Sequence, residues 1–168
     1  MAWLYAQTVG TPSGSQWRLR GHTPSPSEFA AFVWAESPLQ LVVAKAQSAE
    51  PVAVAQLYGV SWRGGTGKAA FFVVPEAQRL GWAFEGLLIF LDHCFLMLKL
   101  RKLYFEIPQY NMQAVGNSLS RFLELEAKLS GHEYANGRYH DLMIYSLDRD
   151  AWHALLSAQP VDSRPLQE

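Results

Sequence analysis

The sequence predicts an α/β (α+β) fold, in which a mixed but mostly antiparallel sheet is flanked by helices. Three apolar, strand-like runs follow one another between turn-forming residues, the apolar spacing becomes helical after Pro75, and an Asn-Gly pair stands between strand-like flanks near the C terminus. The chain has 168 residues, the size of one compact domain. We expect this domain to span residues 1–158 and residues 159–168 to form a loose tail.

Composition argues against several classes of protein. Hydrophobic residues make up 49% of the chain and charged residues 17%, and the net charge of −1 argues against a disordered chain or an electrostatically driven nucleic-acid binder. The longest apolar run, at residues 29–35, has seven residues, whereas a bilayer crossing needs about 20. No secretory signal can be read at residues 1–8, and a single cysteine excludes an internal disulfide. A cytoplasmic location without membrane attachment is the simplest expectation.

Local signals place the elements of the first half of the chain. Ser25, Pro26 and Glu28 form a capping box with proline at the first helical position, which predicts a helix over residues 26–35. Tight turns between the three apolar runs indicate an antiparallel meander. The other elements predicted here are a loop at residues 10–16, a short strand at 17–20, and strands at 39–46, 52–62 and 66–74.

In the second half, Glu85, Asp92 and Lys99 recur seven residues apart with apolar residues on the opposite face, which predicts a largely buried helix over residues 82–98. The strand before this helix and the strand after it should form a right-handed parallel crossover with a binding site at its mouth. The remaining predicted elements are a strand at 102–107, a helix within 111–128, a hairpin around Asn136 and Gly137, and a last helix from Asp148 to about residue 157.

The turn that leads into the long helix is a candidate anion site. A strand that runs into a helix leaves unpaired amide N–H groups where the helix dipole is positive. Gly81 and Ala83 have little or no side chain, so that a ligand can approach the backbone, and Arg79 adds a charged donor. Taken alone, this pattern has a second interpretation, in which Gly81 merely eases a tight turn.

Several spaced motifs resemble the GNAT acyltransferases. Residues 78–83 (Gln-Arg-Leu-Gly-Trp-Ala) are similar to the family's [Q/R]-x-x-G-x-[G/A] signature, which holds the pyrophosphate of coenzyme A. Residues 72–76 and 103–107 resemble the strands on either side of the long helix, and Asn111 begins an N-x-x-A-[I/V] pattern. Residues 136–152 resemble the terminal hairpin of the branch that acetylates ribosomal-protein N-termini and small amines.

The resemblance implies an acyl-CoA-dependent N-acyltransferase that uses acetyl-CoA or another acyl-CoA as cosubstrate. Pantetheine is expected between two splayed strands, where an amide N–H near Val74 stabilises the negative charge that develops on the thioester oxygen. A metal is not expected, because the five histidines show no paired ligand spacing. The expected coenzyme-binding residues are Val73, Val74, Gln78, Arg79, Leu80, Gly81, Trp82, Ala83 and Asn111.

The same resemblance implies two catalytic residues and an acceptor pocket. Glu106 stands where some members have a general base, and burial among apolar neighbours is expected to raise its pKa; the alternative is an ordinary half-exposed glutamate. Ser118 replaces the tyrosine that protonates the leaving thiolate in many members, and its hydroxyl can hydrogen-bond the sulfur. Tyr134, Tyr139 and His140 border the expected acceptor pocket, unless they only pack locally.

The acceptor is an amine on a small molecule or a protein N-terminus. Two other functions stay open: a catalytically silent acyl-CoA-binding or interaction domain, and an enzyme of this fold in a biosynthetic pathway or a toxin that acylates aminoacyl-tRNA. Ser118 and the absence of the family's helix-ending glycine favour the silent domain. The chain could also form a homodimer, since some of the six tryptophans can line an interface. Separately, Cys94 is expected to be an inert thiol in the core.

Overall fold

The structure is a computed structural model that describes residues 1–15, 17–35, 37–78, 81–112 and 122–158. Two single 3₁₀ turns, at Pro75–Ala77 and Gln109–Asn111, join the longer elements. The helices are α1 (Ala2–Thr8), α2 (Pro12–Ser15), α3 (Pro26–Trp34), α4 (Gly81–Met97) and α5 (Arg149–Ala158). The strands are β1 (Leu39–Ala44), β2 (Pro51–Ser61), β3 (Thr66–Val73), β4 (Lys102–Pro108), β5 (Glu124–Ala135) and β6 (Arg138–Asp148).

The six strands form one mixed sheet in the order β1-β2-β3-β4-β6-β5. Strands β3 and β4, which flank α4 in the chain, pair in parallel over three residue pairs, from Thr66↔Lys102 to Lys68↔Tyr104. The pairs β1–β2, β4–β6 and β5–β6 are antiparallel. The predicted fold class and the parallel strand-helix-strand connection are therefore confirmed.

Two compact units can be distinguished within the chain. Unit 1 consists of residues 1–60 and 70–91, and unit 2 of residues 61–69 and 92–168. Unit 1 has an apolar core formed by side chains from α1, the turn after α2, α3, β2 and β3. Its buried members include Leu4, Trp17, Leu19, Phe29, Val33, Val52, Val54 and Phe72.

The N-terminal part of unit 1 differs from the prediction. Residues 17–20 form successive turns and not a strand, with the N–H of Arg20 donating to the carbonyl of Trp17, and α2 lies within the predicted loop. The turn is held by the guanidinium of Arg18, which stacks 3.9 Å from the centroid of the Tyr58 ring and donates to the buried side chain of Gln56. These contacts join residues about 40 positions apart in the chain, so that short-range patterning could not reveal them.

The capping box of α3 is confirmed. The Ser25 hydroxyl accepts from the amide of Glu28, and the Glu28 carboxylate accepts from the amide of Ser25 at 2.8 Å. This reciprocal pair satisfies two backbone donors that the helix start leaves without partners. The sequence therefore located the start of this helix to the residue.

In unit 2, the last part of the range 111–128, within which a helix is predicted, forms a strand. Residues 124–128 belong to β5, although glutamate, leucine, alanine and lysine favour helices. The Lys102 ammonium lies 2.5 Å from Oε1 of Glu126, which also accepts from the Ser146 hydroxyl at 2.8 Å. Cross-strand pairing with β6 and this polar cluster override the helical preference. Residues 113–121 lie outside the described residues.

The hairpin at Asn136 and Gly137 is confirmed. Strand β5 ends at Ala135 and β6 begins at Arg138, and both turn residues have positive φ angles, 51° and 79°. Both central residues of a type I′ turn have positive φ angles. Helix α5 follows Asp148 as predicted, whereas the predicted tail lies outside the described residues.

Candidate functional site

The connection between β3 and α4 in unit 1 is built by local hydrogen bonds. The side-chain amide of Gln78 donates to the carbonyl of Val73 at 3.3 Å and closes the loop on the end of the strand. The 3₁₀ turn begins at Pro75, where the missing N–H costs nothing because a first-turn amide has no partner within the helix. Gln78 therefore shapes the loop through its side chain.

The two strand-end valines have different hydrogen-bonding roles. The N–H of Val74 donates to the carbonyl of Val52 on β2 at 2.9 Å. The N–H of Val74 is therefore already used, so the donor expected near Val74 has to be another amide, and the expected coenzyme contacts of Val73 and Val74 stay predictions. Successive amides of an extended chain point to opposite sides, so that the N–H of Val73 faces away from β2.

The start of α4 is open at Gly81. A Cβ atom built on Gly81 would have no heavy atom within 4 Å, so no described residue covers this side of the backbone. The first turn of α4 contains no acidic residue, and Ala83 is buried beneath it. Arg79, Leu80 and the side chain of Trp82 lie outside the part that the structure describes. Their expected coenzyme contacts stay predictions.

Further along α4, Gly86 lets the helix approach the sheet closely. A Cβ atom on Gly86 would lie 2.4 Å from Cγ2 of Val43 on β1, a distance that real side chains do not tolerate. The helix axis is thus set by a contact that only glycine permits.

Glu106 has a charged neighbour that the sequence did not indicate. The ammonium of Lys68 lies 2.6 Å from Oε1 of Glu106, whose side chain is 18% exposed. The expected environment of apolar neighbours alone is therefore wrong. An ammonium ion at this distance favours the anionic carboxylate, which is the form that accepts a proton.

The hairpin residues are brought together, but they differ in exposure. Tyr134 and Tyr139 are cross-strand partners with ring centroids 5.1 Å apart, and they are 65% and 71% exposed. His140 is buried, with its ring 4.9 Å from that of Tyr110 and its Nε2 3.1 Å from the carbonyl oxygen of Ala135. Since a carbonyl only accepts, Nε2 carries the hydrogen in this geometry.

A pocket of about 320 Å³ lies beside these residues in unit 2. Its lining consists of Gln109, Tyr110, Arg138, Tyr139 and His140. Sequence reasoning identified Tyr139 and His140 but missed the other three, although Arg138 directly follows the predicted turn. Asn111 ends the 3₁₀ turn that carries Gln109 and Tyr110, and its expected coenzyme contact stays a prediction.

Three other expectations concern chemistry elsewhere in the chain. Cys94 is buried, and burial raises the pKa of its thiol to about 12, which fits an inert core residue. The described residues contain no cluster of three or more histidine, cysteine, aspartate or glutamate side chains suited to a metal ion. Ser118 lies outside the described residues.

Within the described part, every helix is too short or too polar to cross a bilayer.

Comparison with solved structures supports the fold. The spermidine N-acetyltransferase from Vibrio cholerae in complex with CoA and spermine superposes with a TM-score of 0.78 at 18% identity, covering 90% of this chain and 91% of that chain. A chimera of the Vibrio cholerae enzyme and hSSAT gives a TM-score of 0.75, also at 18% identity and with the same coverage. The Vibrio cholerae enzyme in complex with manganese ions gives a TM-score of 0.64 at 21% identity, covering 78% of this chain and 75% of that chain. No family model and no curated protein matches the sequence. At these identities the likeness establishes the fold, and the chain has the GNAT fold that its motifs predicted.

Proposed function

We propose that the chain is an acyl-CoA-dependent N-acyltransferase that transfers an acyl group, most simply acetyl, to a primary amine in a ternary complex. The acyl-CoA thioester supplies the activated acyl carbon. The amine nitrogen forms the new C–N bond as the C–S bond breaks, the amine proton passes to a base, and the sulfur departs and is protonated to the free thiol. The likeness to an acetyltransferase structure containing CoA and spermine supports this reaction.

The observation that carries the proposal is the open start of α4. Its first-turn N–H groups have no partners within the helix and lie at the positive end of the helix dipole. Gly81 leaves room for a ligand, and the first turn lacks acidic side chains that would repel an anion. A pyrophosphate fits this chemistry, with Arg79 as a proposed charged donor.

We assign the N–H of Val73 as the hydrogen-bond donor to the thioester oxygen. The amide of Val74 is already used by the Val52 carbonyl, whereas that of Val73 points the other way. A donor placed where negative charge develops stabilises the transition state more than the ground state. Loss of one such donor typically lowers kcat by about 10²-fold or more.

We assign Glu106 as the general base, acting directly or through a water molecule. The amine must lose its proton to form the amide, and a carboxylate held as the anion beside Lys68 can accept it. Ser118 is proposed to hydrogen-bond the departing sulfur. As a serine hydroxyl is a weak acid, most of the rate acceleration then comes from positioning and oxyanion stabilisation.

Coenzyme binding and turnover test the proposal separately. Calorimetric titration with CoA should show binding to the wild-type chain, and Gly81→Trp should weaken it by at least about tenfold by filling the open backbone surface. Ile89→Trp is the matched control, because Ile89 is an exposed residue of the same helix two turns farther on. Equal CoA affinity in Gly81→Trp and the wild type would contradict a pyrophosphate-binding site at the start of α4.

Release of free thiol from acetyl-CoA in the presence of peptides, polyamines, amino sugars or amino acids tests catalysis. CoA binding without thiol release with any amine would favour the silent acyl-CoA-binding domain. A cytoplasmic location, supported by the single buried Cys94, and a homodimer remain predictions. Sedimentation analysis would determine the oligomeric state.

A further inference from the structure

The described residues that line the pocket at the β5–β6 hairpin include one positive charge and no carboxylate. Arg138 is the only side chain of the lining with a permanent charge. Among the described residues, Arg138 makes no ion pair. An arginine that lines a pocket without a carboxylate partner is a suitable donor for an anionic ligand group.

The acidic residues near the pocket do not neutralise it. Glu133 is the cross-strand partner of His140, but it is not part of the lining and has interactions of its own. Asp141 is paired with the Lys128 ammonium at 2.7 Å and accepts from the amide of Gly131 at 2.9 Å. The Asp141 carboxylate is therefore committed to contacts outside the lining.

The other lining groups complement a peptide. The amide of Gln109 and the hydroxyl of Tyr139 can donate hydrogen bonds to carbonyl groups. His140 uses Nε2–H toward Ala135, which leaves Nδ1 of the neutral ring as an acceptor. A peptide brings both carbonyl acceptors and N–H donors, whereas a polyamine brings donors and positive charge only.

Chain geometry gives the separation between Gln109, which is one residue of the pocket lining, and the proposed base. Gln109 follows Glu106 by three residues at the end of β4, a separation of about 10 Å in extended chain. We propose that the acceptor is an acidic peptide N-terminus, whose α-amine reaches Glu106 while a carboxylate about three residues later binds Arg138. The placement of the α-amine at Glu106 rests on the proposed function, whereas the placement of the carboxylate at Arg138 rests on the pocket lining.

The proposal disfavours a polyamine acceptor. The solved neighbour contains spermine, a polycation, and shares only 18% of its sequence with this chain. An ammonium group placed in this pocket meets Arg138 and no lining carboxylate, so the interaction is repulsive. Two proteins of one fold can thus select acceptors of opposite charge.

Two peptides that differ by one charge provide the test: Gly-Ala-Ala-Glu-amide and Gly-Ala-Ala-Gln-amide. Their dissociation constants are measured by saturation-transfer NMR on the full chain saturated with CoA, and their acetylation by thiol release, with spermidine as a third ligand. We expect the glutamate peptide to bind about tenfold more tightly than the glutamine peptide, as for one charge-assisted pair. In Arg138→Gln the preference should disappear, whereas Arg63→Gln, which removes an exposed charge from the β2–β3 turn, should retain it.

The outcomes separate this inference from the proposed function. Preferential binding of the glutamate peptide that depends on Arg138, without thiol release from acetyl-CoA with this peptide or any other amine, would support the selection of an acidic peptide at Arg138 and contradict the proposed function. Acetylation of both peptides with equal affinity would support the function and overturn the inference. Absence of peptide binding, or tighter binding of spermidine than of the glutamate peptide, would also overturn it.

Discussion

The ammonium nitrogen of Lys68 lies 2.6 Å from Oε1 of Glu106, and the two residues come from the neighbouring parallel strands β3 and β4. Lys68 is in register with Tyr104, and Glu106 is two residues farther along, on the same face of the sheet. Parallel pairing therefore brings together a cation and a carboxylate that are 38 positions apart in the sequence. The ion pair orients the group that we assign as the base.

Replacement of Glu106 by glutamine should reduce turnover selectively. Glutamine has a similar shape but cannot accept the amine proton, so we expect kcat/KM to fall by about 10²–10⁴-fold. The affinity for CoA should be unchanged, because the proposed pyrophosphate-binding residues belong to unit 1. Steady-state thiol release and calorimetry measure the two quantities, with the exposed Glu124→Gln as control. Full activity of Glu106→Gln would remove the base assignment.

The same ion pair should contribute little to folding stability. The Lys68 side chain is 44% exposed, and exposed ion pairs contribute about 0.2–1 kcal/mol. A double-mutant cycle with Lys68→Gln and Glu106→Gln, measured by urea unfolding, should give a coupling free energy in this range. A coupling free energy well above about 1 kcal/mol would indicate that the main role of the ion pair is to stabilise the fold.

Alanine at Gly86 should destabilise the chain despite its higher helix propensity. The added Cβ would lie 2.4 Å from Cγ2 of Val43, and overpacking of this kind costs about 1–3 kcal/mol, against a propensity gain of about 1 kcal/mol. Combining Gly86→Ala with Val43→Ala should restore part of the loss by providing space. Gly81→Ala, which meets no atom within 4 Å, is the matched control. Thermal and urea unfolding of these variants would test this, and a stable Gly86→Ala variant would contradict the contact.

The Asp141 carboxylate should make stability depend on acid pH. The hydrogen bond to Lys128, followed by the bond from the Gly131 amide, lowers the pKa of Asp141 below its usual 3.8. Because the folded-state pKa is lower than the unfolded one, the stabilisation is present above pH 3.8 and is lost as the pH falls through the folded-state value. The free energy of unfolding should therefore fall more steeply below pH 3.8 in the wild type than in Asp141→Asn. Equal slopes for the two proteins would show that this carboxylate titrates alike in both states.

Cys94 should be unreactive in the folded protein. Burial raises the pKa of its thiol to about 12, so the reactive thiolate is scarce near neutral pH and the sulfur is shielded. Ellman's reagent should label the native chain very slowly at mildly alkaline pH, and label one thiol per chain in denaturant, since Cys94 is the single cysteine. Rapid labelling of native protein would show that α4 opens locally.

Elements with strong local signals were predictable. The turn at Asn136 and Gly137 needs two residues that tolerate positive φ angles, and the α3 start needs Ser25 and Glu28, so both are encoded within a few residues. Residues 124–128 fell within the range in which a helix was predicted because their local preference is helical, while their strand conformation depends on pairing with β6. Propensity is overridden here by contacts distant in sequence.

The candidate site likewise has some features that the sequence could predict and others that depend on strand pairing. Gln78 and Gly81 are three positions apart in one short loop, and this local spacing is enough to indicate an anion site. The ion pair of Lys68 with Glu106 and the contact of Tyr110 with His140 required strand pairing, because each joins residues about 30 or more positions apart. The Arg138 pocket likewise depends on the hairpin meeting the turn after β4.

By itself, the amino-acid sequence determined the fold class, the helix and turn boundaries with strong caps, and the location of the candidate coenzyme loop, since backbone conformation and side-chain size act over a few residues there. Tertiary structure alone decided that the Val74 amide is already used, that Glu106 faces Lys68, and that Arg138 lines a pocket whose described residues include no carboxylate. The physical reason is that hydrogen-bond and charge partners are chosen by strand register, and register depends on the packing of the whole sheet.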